Sequence, residues 1–281
     1  MAAPVIYRPV YEASPLRNFL VVLLATAWAE TQRKRAYTIE IVRWPLSPLI
    51  YFLMLLITYR TSGQATAGGY AIEGFLLVGA IGMVMWTSTL WTGGYAIEME
   101  RTEGTINSLF LTPGSRTAVI MGYTIGAFAI FVVPTVIVLA GLAYFSGAQL
   151  HIESLPAVLL SLLVLALGSL ALGHVLAGAF VLTRRANMWA NFLQAPIYLL
   201  SGMVVPISNL PEWLRWFSVI FPISAGVSAL RESLLAGAGA GDISSEITRF
   251  ALSSLVLFVI GSFLLRRVER VAKSGGQFDL D

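Results

Sequence analysis

Apolar runs long enough to cross a bilayer alternate along this chain with short polar stretches. About 20 mostly apolar residues make one helical span, and six runs qualify: about Ile41 to Tyr59, Ile72 to Ala96, Thr117 to Phe145, Pro156 to Leu182, Asn187 to Val205 and Ile247 to Leu265. Each predicts a transmembrane helix, and the alternating pattern of a membrane β-barrel is absent. Arg43 and Trp44 mark the inner end of the first run, Arg60 its outer end, and Arg184-Arg185 and Arg266-Arg267 close the fourth and sixth. In the third run Pro134 predicts a kink, and Gly122 and Gly126, four apart, predict close contact with another helix.

Three stretches break this pattern. Leu16 to Arg35 opens apolar and closes on Glu30-Thr-Gln-Arg-Lys-Arg35, and the next run begins too soon for both to cross. It predicts an amphipathic helix that lies along the interface or packs on the bundle. Between the second and third runs, Glu98 to Arg116 is too polar for lipid. A helix from Glu98 to Leu111 would carry Ile106, Leu109, Phe110 and Pro113 on one side and Glu100, Glu103 and Asn107 on another, with Thr112-Pro113-Gly114 stopping it. A short charged helix between two spans suits transmission of force from a soluble partner, and Glu100 and Glu103 are expected to face the cytoplasm. The third stretch is residues 206–235. Asn209 is placed to cap a short helix starting at Leu210-Pro211, Trp213, Trp216 and Phe217 suit a bilayer surface, and Pro222 breaks the chain again. Ile223 to Leu235 is apolar enough to re-enter, but Arg231-Glu232 needs shelter by protein. Pro206, Pro211, Trp213, Pro222, Arg231 and Glu232 are thus expected in an outer re-entrant pair of short helices, or in a plain extracellular cap.

The expected fold is an all-α membrane protein of six transmembrane helices with an N-terminal interfacial amphipathic helix, a cytoplasmic helix and an extracellular re-entrant segment. Residues 1–38 form the cytoplasmic N-terminus and interfacial helix, 39–268 the membrane domain and 269–281 a cytoplasmic tail. All but Arg60, Arg215, Arg231 and Arg249 of the 18 Lys and Arg residues then fall on the inner side, which places both termini in the cytoplasm. Residues 1–12 lack the basic-then-apolar order of a signal peptide and are expected to be retained.

Composition agrees with this class and removes several chemistries. The 281 residues are 57% hydrophobic and 12% charged, with a mean hydropathy of +0.78. Absence of cysteine excludes disulfides and thiolate catalysis. His151 and His174 are too few and too far apart for a metal site. His174, inside the fourth run, is either a functional intramembrane group or a satisfied packing residue. Ser88, Ser161 and Ser169 have no His or Asp close in sequence, so no catalytic residue is expected. No Gly-x-x-x-x-Gly-Lys-Ser/Thr is present, so any ATP that powers this protein is bound by another chain.

The fifth run places Asn187, Asn191, Gln194, Tyr198 and Ser201 at steps of four, three, four and three, on one helix face. That face either lines a translocation path or hydrogen-bonds the same helix of a second subunit.

The succession of interfacial helix, two spans, Glu-x-Glu-Arg-x-Glu-Gly-Thr-Ile-x-x-Leu-x-Leu-Thr-Pro-x-Ser-Arg, two spans and Ser201-Gly-Met-Val-Val-Pro-Ile-Ser-Asn-Leu-Pro-Glu-Trp-Leu-Arg215 resembles the ABC transporter permeases of type 2. The resemblance implies that residues 98–113 are the coupling helix that docks into a separate ATP-binding subunit, through Glu98, Glu100, Arg101, Glu103, Gly104, Leu109 and Pro113. It implies two permease copies, a homodimer, with two ATPases that hold ATP and Mg, in the cytoplasmic (inner) membrane. No nucleic acid is implied, and lipids are the other partner. The implied activity is export, with no enzymatic site on this chain. Glu30 to Tyr51 lacks the Arg-Asp-Leu-Lys-type opening of polysaccharide-exporting relatives, which favours a drug-like or lipid-like substrate over a polysaccharide or glycolipid. An ion-coupled secondary transporter is the alternative of another class; it needs midplane carboxylates or histidines, and only His174 offers itself.

Overall fold

The computed structural model describes residues 14–36, 38–105, 115–181, 183 and 185–275. Helices dominate: α1 (Pro15–Ala36), α2 (Thr38–Thr61), α3 (Ile72–Thr89), α4 (Ala96–Thr102), α5 (Arg116–Ser146), α6 (Leu155–Val181), α7 (Ala186–Leu200), α8 (Glu212–Ile220), α9 (Pro222–Leu235) and α10 (Ser244–Gly275). A two-stranded hairpin, β1 (Thr66–Ala67) with β2 (Tyr70–Ala71), joins α2 to α3.

Three stretches are long and apolar enough to cross a membrane unbroken: Ile72–Gly93, Leu155–Phe180 and Ser244–Arg267. Two more pass as bent pairs, α5 with a 51° bend at Pro134 and α8–α9 with a 90° turn, and the apolar part of α2, Pro48–Thr61, is shorter. The kink predicted at Pro134 is thus present. The fifth predicted span is cut short, because α7 ends at Leu200 and Gly202 takes a left-handed φ of 74° in the turn that follows.

The core is built around α3, whose large side chains are buried on nearly all sides, Phe75, Val78 and Trp86 among them. Helices α2 and α5 pack on one side of it, α6 and α9 on the other, and α10 lies along α6. His174 belongs to this last seam. Its Nε2 is 3.2 Å from Ser262 Oγ and its ring stacks on Phe258 at 4.9 Å, a packing arrangement between α6 and α10.

Helix α1 packs along α5 through the two predicted glycines. A Cβ on Gly126 would stand 2.4 Å from Ala27 O, and one on Gly122 would stand 2.8 Å from Leu23 O, so only glycine admits this approach. Thr31 Oγ1 also donates to Gly126 O at 3.2 Å. The opposite face of α1 exposes Leu16, Leu20, Leu24 and Trp28, an apolar row at helical spacing. Helix α8 exposes Trp213, Trp216 and Phe217. No side-chain cap starts α8: Pro211 occupies the N-cap and Asn209 ends a 3-10 turn over Ile207–Asn209, so the capping role expected of Asn209 is not present.

Candidate functional site

Two polar constellations remain after the apolar packing is accounted for. The first lies where α3 leaves the core. Its last turn widens into a π-helical segment, Leu90–Gly94, and α4 follows directly. The helix predicted over residues 98–111 does not run through: α4 ends at Thr102, and Gly104 adopts φ +73°, the left-handed conformation that closes a helix and suits glycine. A Cβ on Gly104 would meet nothing within 4 Å, so the glycine serves the turn here. Ile106, Leu109, Phe110 and Pro113 lie outside the described residues.

Two of the four charged residues of this segment pair with each other, and the other two bond elsewhere. Glu98 Oε2 accepts from Arg101 Nη1 at 2.7 Å, and Arg101 also reaches Thr183 O at 3.4 Å. Glu103, about half exposed, meets Arg33 of α1 at 3.3 Å. Arg33 is held in turn by Glu30 at 2.6 Å and lies over the Tyr123 ring, 5.5 Å from its centroid. Burial raises the Glu30 carboxyl above its usual range, against the opposing pull of Arg33 and Lys34.

Glu100 departs from the expectation that it faces the cytoplasm. It is 9% exposed, and both carboxylate oxygens are occupied: Tyr123 Oη donates to one and Thr105 Oγ1 to the other. The reason is geometric. On a short helix Glu100 and Glu103 are one turn apart but not superimposed, and α5 stands against the Glu100 side. Glu103, Glu98 and Arg101 remain accessible; Glu100 joins α4 to α5. Tyr123 and Arg33 are the members of this cluster that the sequence did not single out. Tyr123 is one turn before Gly126 on the helix-contact side of α5, and that spacing was the available signal.

The second constellation is the α7 face. The structure splits the five predicted residues into two pairs and a remainder. Asn191 Nδ2 donates to Asn187 Oδ1 at 2.7 Å, and both side chains are exposed. Gln194 Nε2 donates to Tyr198 Oη at 2.7 Å, and Tyr198 Oη is 2.6 Å from Thr87 Oγ1 of α3. Tyr51 of α2 meets the Tyr198 ring edge-on at 5.9 Å. Ser201 is fully buried past the helix end. The polar stripe therefore runs from an anchored end at Tyr198 to an open end at Asn187, flanked by exposed Met188, Trp189 and Phe192.

Arg231 of α9 reads the end of the same helix. Its Nη2 donates to Gly202 O at 2.6 Å, and its guanidinium lies 3.8 Å from the Phe75 ring centroid. It is buried, so the shelter required by the sequence is supplied by α3 and the turn after α7. Tyr59 Oη donates to Val204 O at 2.9 Å, pinning that turn from α2. Neighbouring Glu232 is half-buried.

A profile of the ABC-2 type transporter family matches residues 18–235, from within α1 to the end of α9. The chain belongs to the ABC-2 type transporter family. It is accordingly a multi-pass membrane protein and a permease component, in a family that works with an ATP-binding subunit. Among curated proteins, the ABC transporter G family member 20 of Dictyostelium discoideum is 22% identical over 187 residues, 66% of this chain and 25% of that protein. Nodulation protein J of Sinorhizobium fredii (strain NBRC 101917 / NGR234) is 28% identical over 127 residues, 43% of this chain and 47% of the relative. The ABC-2 chain thus spans a quarter to about half the length of these relatives.

Proposed function

We propose that this ABC-2 permease is the membrane subunit of an ATP-driven exporter for a drug-like or lipid-like substrate. In this reading six spans cross the inner membrane: α2, α3, α5, α6, α7 with its following turn, and α10. Both termini are cytoplasmic, α1 lies in the inner interface with its Leu16, Leu20, Leu24 and Trp28 row toward lipid, and α8–α9 form the outer re-entrant pair. A separate subunit binds ATP and Mg, and two copies of the permease assemble with two such subunits.

The observation that carries this reading is the α7 face. A helix that exposes Asn187 and Asn191 beside Trp189 and Phe192 is unsuited to lipid on that side, and its anchored end at Tyr198 fixes the direction in which the stripe points. A second copy facing it would enclose a path of mixed polar and aromatic character, suited to amphipathic cargo. Force would enter at Glu98, Arg101 and Glu103, on α4 at the inner end of α3, and Thr87 of α3 holds Tyr198 of α7. The test is reconstitution with the ATP-binding subunit in vesicles. The permease alone is expected to hydrolyse no ATP, the pair to move a lipophilic dye against its gradient, and Asn191→Leu with Gln194→Leu to alter that flux with assembly intact. Hydrolysis by the permease alone, or unchanged flux in the double variant, overturns the reading.

A further inference from the structure

Helix α7 is held near its C-terminal end, where Tyr198 Oη is 2.6 Å from Thr87 Oγ1 of α3. A helix held by one hydrogen bond at one end can pivot about it. At the other end Asn191 donates to Asn187 within the helix, which does nothing to stop that pivot. The stop lies just before α7 begins.

Thr183, in the connection between α6 and α7, uses all three of its polar groups. Its N–H donates to Phe180 O at 3.2 Å, which keeps it on the end of α6. Its Oγ1 accepts the N–H of Arg185, the N-cap of α7, at 3.2 Å. Its carbonyl accepts from Arg101 Nη1 of α4 at 3.4 Å. The same nitrogen donates to Glu98 Oε2 at 2.7 Å, so the two N–H bonds of one guanidinium nitrogen serve a carboxylate on α4 and a carbonyl outside it. The Glu98 bond already restricts the arginine, and a planar, pre-organised fork loses little more freedom in reaching Thr183.

Both ties join the same two segments. Thr87 and Arg101 are fourteen positions apart on the path from α3 through the π-helical turn to α4, and Thr183 and Tyr198 are fifteen apart on the path along α7. They pair in opposite order, so the segments run antiparallel with both ends fastened. Between the ties, Ala186, Ala190 and Ile197, at helical spacing, are buried in the apolar cluster that also takes Leu90, Trp91 and Tyr95. Two rods fastened at two points move as one.

We propose that Arg101 and Thr183 are positioning residues for transport: they tie the start of α7 to α4, so that α4 and α7 shift together and a displacement of α4 reaches the exposed α7 face directly. The transport role rests on the reading that α4 receives the ATP-binding subunit and α7 meets cargo; the tie does not.

The chain has no cysteine, so spin labels can be placed by single substitutions. In the full chain in lipid nanodiscs, labels on Thr102→Cys and Met188→Cys, both exposed positions, report α4 against α7. Labels on Gln32→Cys and Thr102→Cys report α4 against α1. Double electron–electron resonance should give one narrow distance for each pair. Arg101→Gln and Thr183→Val should broaden the first distribution and leave the second, and Thr183→Ser should restore the first. In vesicles with the ATP-binding subunit, Thr183→Val should keep subunit recovery and lower the dye moved per ATP hydrolysed about twofold to tenfold, the effect of one hydrogen bond; Thr183→Ser should return it. A first distribution unchanged in both variants, equal broadening of both pairs, or dye per ATP at the wild-type value in Thr183→Val overturns the proposal. A wild type that moves no dye overturns the exporter reading instead, and the distances still decide whether α4 and α7 move together.

Discussion

The C-terminal end of α3 with α4 and the exposed face of α7 both hold polar side chains and use them in opposite ways. Around α4 the charged groups are matched to other helices: Glu103 to Arg33 of α1, and Glu100 to Tyr123 of α5. Along α7 the pairing is mostly within the helix, Asn191 to Asn187 and Gln194 to Tyr198, with Thr87 of α3 and the Tyr51 ring of α2 both meeting Tyr198. Polar groups that bind across elements make one rigid body of them. Polar groups that bind along their own helix satisfy themselves locally and leave a surface that another molecule can take. The first arrangement suits a part that receives a push, the second a part that meets cargo or a second copy.

The largest test of this contrast is charge reversal at the receiving end. Glu103→Arg faces Arg33 with a like charge and removes an exposed acid from the segment proposed to dock; a charge pair desolvated when the ATP-binding subunit binds there costs about 2–5 kcal/mol when one partner is lost. Recovery of the ATP-binding subunit on the tagged permease should fall by more than tenfold, while the permease still inserts. Equal recovery would show that this end does not receive the partner through Glu103.

Glu100 should behave differently, because its bonds are internal. Glu100→Ala strands the half-buried hydroxyl of Tyr123, whereas exposed Thr105 keeps its bond to the Glu100 carbonyl; a buried group left unmet costs about 1–3 kcal/mol. A lower Tm of the isolated permease is expected, and Tyr123→Phe should reproduce part of the loss. A Tm unchanged in both would return Glu100 to the surface.

On α7 the expectation is reversed: function should change and stability hardly at all. Asn191→Leu removes an exposed intrahelical bond, worth about 0.5 kcal/mol or less, so Tm should stay within error while transport shifts. Gln194→Leu should lower Tm slightly more, since it loosens Tyr198. If both lower Tm as much as Glu100→Ala, the α7 face is packing and the contrast fails.

The smallest effect concerns acidity at Glu30. Burial raises its carboxyl above the usual range for glutamate, with Arg33 and Lys34 opposing. A carboxyl raised in the folded state contributes stability that is fully present below about 4.5 and is lost as pH rises through its folded value. Wild type should therefore gain Tm on acidification from neutral pH relative to Glu30→Gln, whose curve should be flatter. Identical curves would remove Glu30 as a titrating group in that range.

Much of the helix layout was legible in the sequence because it follows from local pattern. The apolar runs placed α3, α5, α6 and α10, Pro134 gave the bend, and Gly122 with Gly126 gave a close helix contact, although its partner is α1. The Glu-Gly-Thr at 103–105 also carried a legible stop signal that the amphipathic pattern beyond it concealed. Other features depend on residues far apart in the chain. Glu100 turns inward because Tyr123 is there to donate, and Arg231 is sheltered by the ring of Phe75 and the carbonyl of Gly202. The two α7 pairs share one predicted face; that one end is anchored and the other open is decided by Thr87 on α3.

The buried Arg231 also sets a condition on assembly. Arginine is expensive in hydrocarbon, and what shelters this one is Phe75, early in the chain, and Gly202, late in it. Helix α9 therefore cannot settle by partitioning from lipid on its own. Its placement depends on α3 and the turn after α7 being present together. A chain without α9 would leave the carbonyl of Gly202 without the guanidinium that meets it, and the turn after α7 without one of its two pins.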